Sequence, residues 1–142
     1  MDSIKGRGKL VVVDGTDGTG KETQTRLLKE ACRKAGKTAA RISFPRYSTP
    51  TGKQVRAYLS GKFGDPIKLS PVASAMLYAM DRLCAKELIE QKLAENDLVV
   101  LDRFVPANQA YQGAKINKAH QRTDFWNWSE QLEYGTFLKF MG

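Results

Sequence analysis

The run Leu10-Val11-Val12-Val13 ends in "DGTDGTGKET", Asp14 to Thr23, and this junction constrains the fold more than any other stretch of the chain. Apolar residues that run on without alternating read as a strand covered on both faces, the habit of a parallel sheet. Gly15 to Lys21 fits G-x-x-x-x-G-K, the phosphate-binding loop, between a strand and a helix as that motif requires. The glycines let backbone N–H groups turn inward around phosphate oxygens, the helix N-terminus adds positive potential, and Lys21 carries an ammonium to the outer phosphates. Gly15, Thr16, Asp17, Gly18, Thr19, Gly20, Lys21, Glu22 and Thr23 are therefore the expected seat of a nucleoside triphosphate. The dinucleotide fingerprint is excluded, because Thr23 stands where the third glycine would be needed after Gly18-Thr19-Gly20.

A helix is expected from about Gly20 to Ala35, with Leu27, Leu28, Ala31, Cys32 and Ala35 on one face and Gly36 as its stop. "TAARISF" is a second, shorter strand. "PRYSTPTGKQVRAYLSGKFGDP" is broken by Pro and Gly and reads as loop with one short helix near Gln54 to Leu59. Ser70-Pro71 has the form of an N-cap and first helical residue, opening one long helix with Met76, Leu77, Met80, Cys84 and Leu88 that ends near Asn96. "DLVVLD", Asp97 to Asp102, is the third strand. A helix begins in "PANQAYQG", and a last one in "DFWNWSEQLEY" turns Phe125, Trp128 and Leu132 inward and closes at Gly135. Strands alternating with helices predict an α/β fold with a parallel sheet.

The 142 residues suit about one domain. No stretch reaches the roughly eighteen apolar residues of a membrane span, and "MDSIKGRGK" lacks a secretory apolar segment, so a cytoplasmic protein with no membrane partner is expected. Cys32 and Cys84 read as buried thiols rather than a disulfide, and His120 has no companion for a metal cluster or a Ser-His-Asp relay. Chemistry must run on Lys, Arg, Asp and a hard cation. The net charge of +8 suits small phosphorylated ligands as well as nucleic acid, but the basic residues form no block and no RNP-like motif is present, so no nucleic-acid partner is expected.

Five motifs in order, "DGTDGTGKET", "FPRY" at Phe44 to Tyr47, "YAMDR" at Tyr78 to Arg82, "LDRF" at Leu101 to Phe104 and "ANQAYQGAK" at Ala107 to Lys115, resemble thymidylate kinase, a P-loop nucleoside monophosphate kinase family. The likeness runs from about Gly8 to Gly135. It implies a three-layer P-loop sheet over residues 1–142 and transfer of the γ-phosphoryl of ATP to dTMP, giving dTDP for dTTP synthesis, with Mg²⁺ accompanying the nucleotide. It also implies roles. Asp17 would face the sugar 3′-hydroxyl and phosphate end of the acceptor, unless it is only an Asx-turn residue. Phe44 would flank the acceptor phosphate held by Arg46 and Tyr47. Tyr78 and Arg82, four apart on one helix face, would stack on the base and donate to its O4, against the rival of a core aromatic and a surface arginine. Asn108 would read the base edge and Tyr111 would crowd the sugar's 2′ position, though a packed helix face explains Tyr111 equally well. Asp102 would orient magnesium and its waters and Arg103 would bridge donor and acceptor phosphates, unless the two form a buried ion pair. Lys21, Asp17, Arg46 and Arg103 would be the catalytic set.

Two departures from the family pattern stand out. Glu22 occupies the position of the magnesium-binding Ser or Thr, so either Thr23 serves, or a carboxylate does, or Glu22 is a solvent-facing acid of the first helical turn. Relatives continue after "EYG" through further strands and an arginine-bearing lid, whereas this chain reads "TFLKFMG", and Gly18 stands at the alternative arginine position. By the family's strand order, two-three-one-four-five, that would leave "LVVVD" at an open edge. The expectation is a homodimer or an associating, marginally folded chain with weak turnover. The alternative function is a non-catalytic or weakly active nucleotide-binding fragment; a nucleoside kinase fits less well, because Arg46 and Arg103 suit an acceptor already phosphorylated.

Overall fold

A computed structural model describes residues 8–16 and 18–137, the last two by backbone alone. They form two compact units, residues 8–43 with 85–104 and residues 44–84 with 105–137. Asp17 and the final residues 138–142 lie outside the described residues, so no position is assigned to them.

The first unit is a parallel sheet with helices packed on it, as the alternation of apolar runs and helical stretches predicts. Strands β1 (Lys9–Val13), β2 (Ala39–Ser43) and β3 (Leu98–Asp102) lie in the order β1-β3-β2. β3 is central, and Val99, Val100 and Leu101 are fully buried. β1 is an edge strand of the described sheet, with Val11 37% and Val12 38% exposed. An exposed Asp97–Thr38 pairing ties β2 to β3 at their amino ends: the Asp97 carboxylate accepts from the Thr38 N–H at 2.8 Å and its hydroxyl at 3.1 Å. Val13, Ser43 and Asp102 are in line at the carboxyl ends of the three strands. α1 (Lys21–Lys34) packs on β2 and β3, and α4 (Lys86–Glu95) packs on β3 with Ile89 and Leu93 buried.

The buried face of α1 is narrower than its periodicity suggests. Thr25 is buried and Leu28 and Cys32 are half-buried, but Leu27, Ala31 and Ala35 are exposed. Three strands cover only the Thr25-Leu28-Cys32 line of this helix. Both cysteines are free thiols, and neither is buried.

The second unit is helical. α2 (Pro50–Leu59), α3 (Pro71–Leu83), α5 (Val105–Gly113) and α6 (Ala119–Glu130) pack around Val55, Tyr58, Ala75, Ala79, Val105 and Phe125. α2 begins at Pro50 rather than near Gln54, because Thr49 caps it by accepting from the Gly52 N–H at 3.2 Å with Pro50 as first helical residue. The same device, Ser70 before Pro71, opens α3 as expected.

The expected helix from Ser70 to Asn96 is two helices. α3 stops at Leu83, and α4 restarts at Lys86 with its first bond from Ile89 to the Ala85 carbonyl. No Gly or Pro marks the break, since the two halves serve different cores. α3 also buries Ser74, Ala75, Ala79, Asp81 and Arg82, leaving Met80 and Cys84 exposed. The last helix does not close at Gly135: a π-helical stretch, Gln131–Phe137, continues α6 through it. Phe125, Ser129 and Glu133 are its buried line. A spacing of four drifts by about 40° per step in an α-helix, and the wider turn offsets that drift. No helix among the described residues is long and apolar enough to cross a membrane.

Candidate functional site

In the first unit the loop after β1 has the local geometry of an anion seat. Gly18 and Gly20 take φ of 77° and 86°, in the left-handed region that a Cβ would strain. Gly20 is the N-cap of α1 and supplies no side-chain acceptor to the first turn. The loop is braced by its own bonds. Gly15 N–H donates to Asp14 Oδ1 at 3.0 Å, Thr19 Oγ1 donates to the Thr16 carbonyl at 2.7 Å, and Lys21 Nζ reaches the same carbonyl at 3.3 Å. Lys21 is thus folded back along the loop, where its ammonium belongs if phosphate oxygens are to replace that carbonyl. Glu22 and Thr23 are both exposed in the first turn.

β3 delivers Asp102 and Arg103 beside the end of β1. The Arg103 N–H donates to the Val13 carbonyl at 2.9 Å, and Arg103 itself has φ 63°, a left-handed conformation that costs any residue carrying a Cβ free energy. The expected rival, an Asp102–Arg103 ion pair, is replaced by a pairing that sequence reading missed: Arg41 Nη2 binds Asp102 Oδ2. Arg41 stands opposite Val100, two residues short of Asp102 in register, so its long side chain reaches along one face of the sheet.

In the second unit "FPRY" is anchored by a residue passed over in the sequence. The Asp81 carboxylate, 1% exposed, accepts from the Arg46 N–H at 2.8 Å and from Thr51 Oγ1 at 2.8 Å, and lies 3.5 Å from Arg46 Nε. Arg46 Nη2 donates to the Asp81 carbonyl at 3.3 Å. Backbone and guanidinium of Arg46 are therefore held by one α3 residue. Gly52 completes the clamp, since a Cβ there would lie 1.9 Å from the Arg46 carbonyl oxygen. Phe44 is buried beside this turn in sequence, and the Arg56 guanidinium lies 4.8 Å over the Tyr47 ring.

Tyr78 is half-buried, edge-on to Tyr58 with centroids 6.1 Å apart. Arg82 is no surface arginine. It is buried, donating through Nε to Glu133 Oε2 at 2.8 Å and through Nη2 to Glu133 Oε1. Asn108 is buried on α5 and donates through Nδ2 to the Ala75 carbonyl at 3.2 Å, an assignment that leaves its Oδ1 facing away. That oxygen and Gln112 Oε1, one turn on, are buried without a hydrogen-bond partner. Unpartnered buried acceptors are rare, and each calls for a donor from water or from a ligand. Gln112 lies within "ANQAYQGAK", but in sequence a glutamine on a helix carries no mark of burial. Tyr111 is 54% exposed, so helix packing does not account for it. Lys115 closes the motif structurally: Nζ donates to Tyr58 Oη at 2.8 Å, the Pro66 carbonyl at 2.7 Å and Ser74 Oγ at 3.3 Å.

Comparison with known proteins identifies the family and the fold. A family model described as thymidylate kinase matches residues 13–135. The thymidylate kinase of Mycobacterium tuberculosis is 37% identical over 110 residues, 77% of this chain and 51% of that protein. The human thymidylate kinase is 36% identical over 111 residues, 78% of this chain and 50% of that protein. The solved thymidylate kinase structure from Candida albicans superposes with a TM-score of 0.71 at 28% identity, covering 88% of this chain and 56% of that one. The chain spans about half the length of the curated relatives it matches.

Proposed function

Because the chain belongs to the thymidylate kinase family, we propose that it transfers the γ-phosphoryl of ATP to dTMP, giving ADP and dTDP in the supply of dTTP. The observation that carries this reading is the pair of unpartnered buried oxygens, Asn108 Oδ1 and Gln112 Oε1. Thymine presents an N3–H donor, which such oxygens would accept, beside the O4 acceptor that Arg82 would serve.

On this reading Arg46, pre-aimed by Asp81, binds the acceptor phosphate with Tyr47, and Phe44 backs that pocket. Tyr78 stacks on the base and Tyr111 borders the sugar. The loop Gly15–Thr23, with Lys21 and the N-terminus of α1, binds the donor triphosphate. Arg103 neutralises charge on the transferring group, and Asp17 faces the acceptor's sugar and phosphate end. No covalent intermediate is required, because an acceptor phosphate oxygen can attack the γ-phosphorus in line while ADP departs. The work of these residues is orientation and cancellation of phosphate charge.

Mg²⁺ fits the donor set. Thr23 and Asp102 offer hard oxygens, and Mg²⁺ bound to nucleotide needs only one or two protein ligands. When bound it supplies charge neutralisation of the phosphates. The exposed Glu22 suits the solvent-facing reading of that position. We further propose that the protein is cytoplasmic and a homodimer.

A coupled assay with ATP and dTMP tests the proposal. Turnover is expected with dTMP and not with thymidine, and Lys21→Ala should weaken ATP binding while sparing dTMP. Absence of binding of either nucleotide at millimolar concentration, by calorimetry on folded protein, would refute it.

A further inference from the structure

We infer that Glu133 is a positioning residue for the nucleobase: it fixes the guanidinium plane of Arg82, and so sets the preference for a 4-keto pyrimidine. The inference rests on reading the second unit as the acceptor-nucleotide site, and it extends that site to the π-helical stretch Gln131–Phe137.

Arg82 and Glu133 have side chains only 3% and 1% exposed. A buried ion pair is a poor source of stability, because desolvating both groups offsets most of their attraction. Such a pair invites a reason beyond folding. Its geometry supplies one. Glu133 meets the guanidinium side-on, with one carboxylate oxygen on Nε and the other on Nη2. Two parallel bonds from a planar fork to a planar acceptor leave the guanidinium no rotation about its long axis. Arg82 is one turn beyond Tyr78 on α3, so the plane that Glu133 fixes stands beside the ring proposed to stack on the base. A single bond would have served charge compensation; two fix direction as well.

The backbone is shaped to deliver this carboxylate. Phe125, Ser129 and Glu133 recur at four-residue spacing on the buried line, and the helix widens to π geometry where Glu133 enters. The wider turn offsets the drift of about 40° that a four-residue step makes in an α-helix, and so keeps Glu133 close to the line of Ser129.

The test uses the full chain and three ligands, dTMP, dCMP and ATP, with calorimetric affinities and thermal melting. Cytosine carries an exocyclic amine where thymine carries O4, so dCMP reports the direction of the guanidinium donors. Glu133→Gln is expected to weaken dTMP about tenfold, narrow the preference for dTMP over dCMP by a similar factor and leave ATP within about twofold. Glu133→Asp keeps the compensating charge on a shorter arm, melts closer to the parent, and should narrow the preference in the same direction. In an Arg82→Met background Glu133→Gln should change dTMP affinity no further. The inference is overturned if dTMP and ATP weaken together, if neither Glu133 variant narrows the preference, or if Glu133→Gln still weakens dTMP without Arg82. If Arg82→Met alone leaves dTMP affinity unchanged, the base-reading role of Arg82 is what fails, and the inference falls with it.

Discussion

Replacing Asp81 by asparagine would remove the charge that organises Arg46 while keeping the shape of the side chain. The carboxylate accepts from the Arg46 N–H at 2.8 Å, from Thr51 Oγ1 at 2.8 Å and from Thr49 Oγ1 at 3.4 Å, and it lies 3.5 Å from Arg46 Nε. Asparagine keeps one acceptor oxygen and turns an NH₂ donor toward the remaining donors. Hydrogen bonds to a charged group contribute about 1.5–3 kcal/mol each, so one lost and one reduced to a neutral bond cost about 3 kcal/mol. With an unfolding entropy of roughly 2.1 cal/mol/K per residue over 142 residues, that loss lowers the melting temperature by about 10 °C. The functional consequence is separable from the loss of stability. Arg46 would no longer be pre-aimed, so dTMP should bind at least tenfold more weakly at a temperature where the variant is folded, with ATP affinity unchanged. Differential scanning calorimetry and titration calorimetry read the two effects. A variant that melts lower yet binds dTMP as tightly as the parent would refute the positioning argument, and one that melts unchanged would refute the energetics.

Gly52→Ala forces a Cβ to within 1.9 Å of the Arg46 carbonyl oxygen, where only backbone can give way. A destabilisation of roughly 1–3 kcal/mol and weaker dTMP binding are expected, and an unchanged melting curve with unchanged dTMP affinity would contradict the clamp. Lys115→Met removes three donated bonds, to Tyr58, Pro66 and Ser74, and leaves their oxygens to find other donors. The segment 61–69 should become sensitive to limited proteolysis, at a cost of about 2–3 kcal/mol in urea unfolding. Val11→Lys places a charge on the exposed edge strand. If that edge mediates self-association, sedimentation velocity will show a concentration-dependent species in the parent and its loss in the variant.

The parts of the fold that local chemistry dictates were legible in the sequence. "LVVVD" and "LVVLD" announce parallel strands, and Ser70-Pro71 announces α3, because capping and uninterrupted apolar runs act over a few residues. Thr49-Pro50 carried the same signal, hidden by the glycine two residues later. Gly52 reads as a breaker in sequence, yet it is there because the Arg46 carbonyl passes where a Cβ would stand. The break at Cys84 and Ala85 has no local cause at all. It arises because Ala79 and Arg82 belong to one core and Ile89 and Leu93 to another, and a helical period cannot report a change of partner.

The same division separates the residues proposed to touch ligand from those that hold them. Lys21 stands in a motif whose chemistry side-chain type and spacing name, whereas the roles proposed for Arg46, Tyr78, Arg82 and Asn108 come from the resemblance of their motifs to the family. Their counter-charges can be named from neither, because Asp81, Glu133 and Asp102's partner Arg41 matter only through contacts of 35, 51 and 61 residues in sequence separation. Each is an ionised group out of place by composition alone, buried or half-buried where an apolar residue would pack more cheaply. Arginines meant for phosphate or base must be rigid before the ligand arrives, and rigidity in a long flexible cation requires a carboxylate on its far side. A reader of sequence can therefore infer that such carboxylates exist. Which ones they are becomes visible only when α3 and the π-helical stretch are seen together.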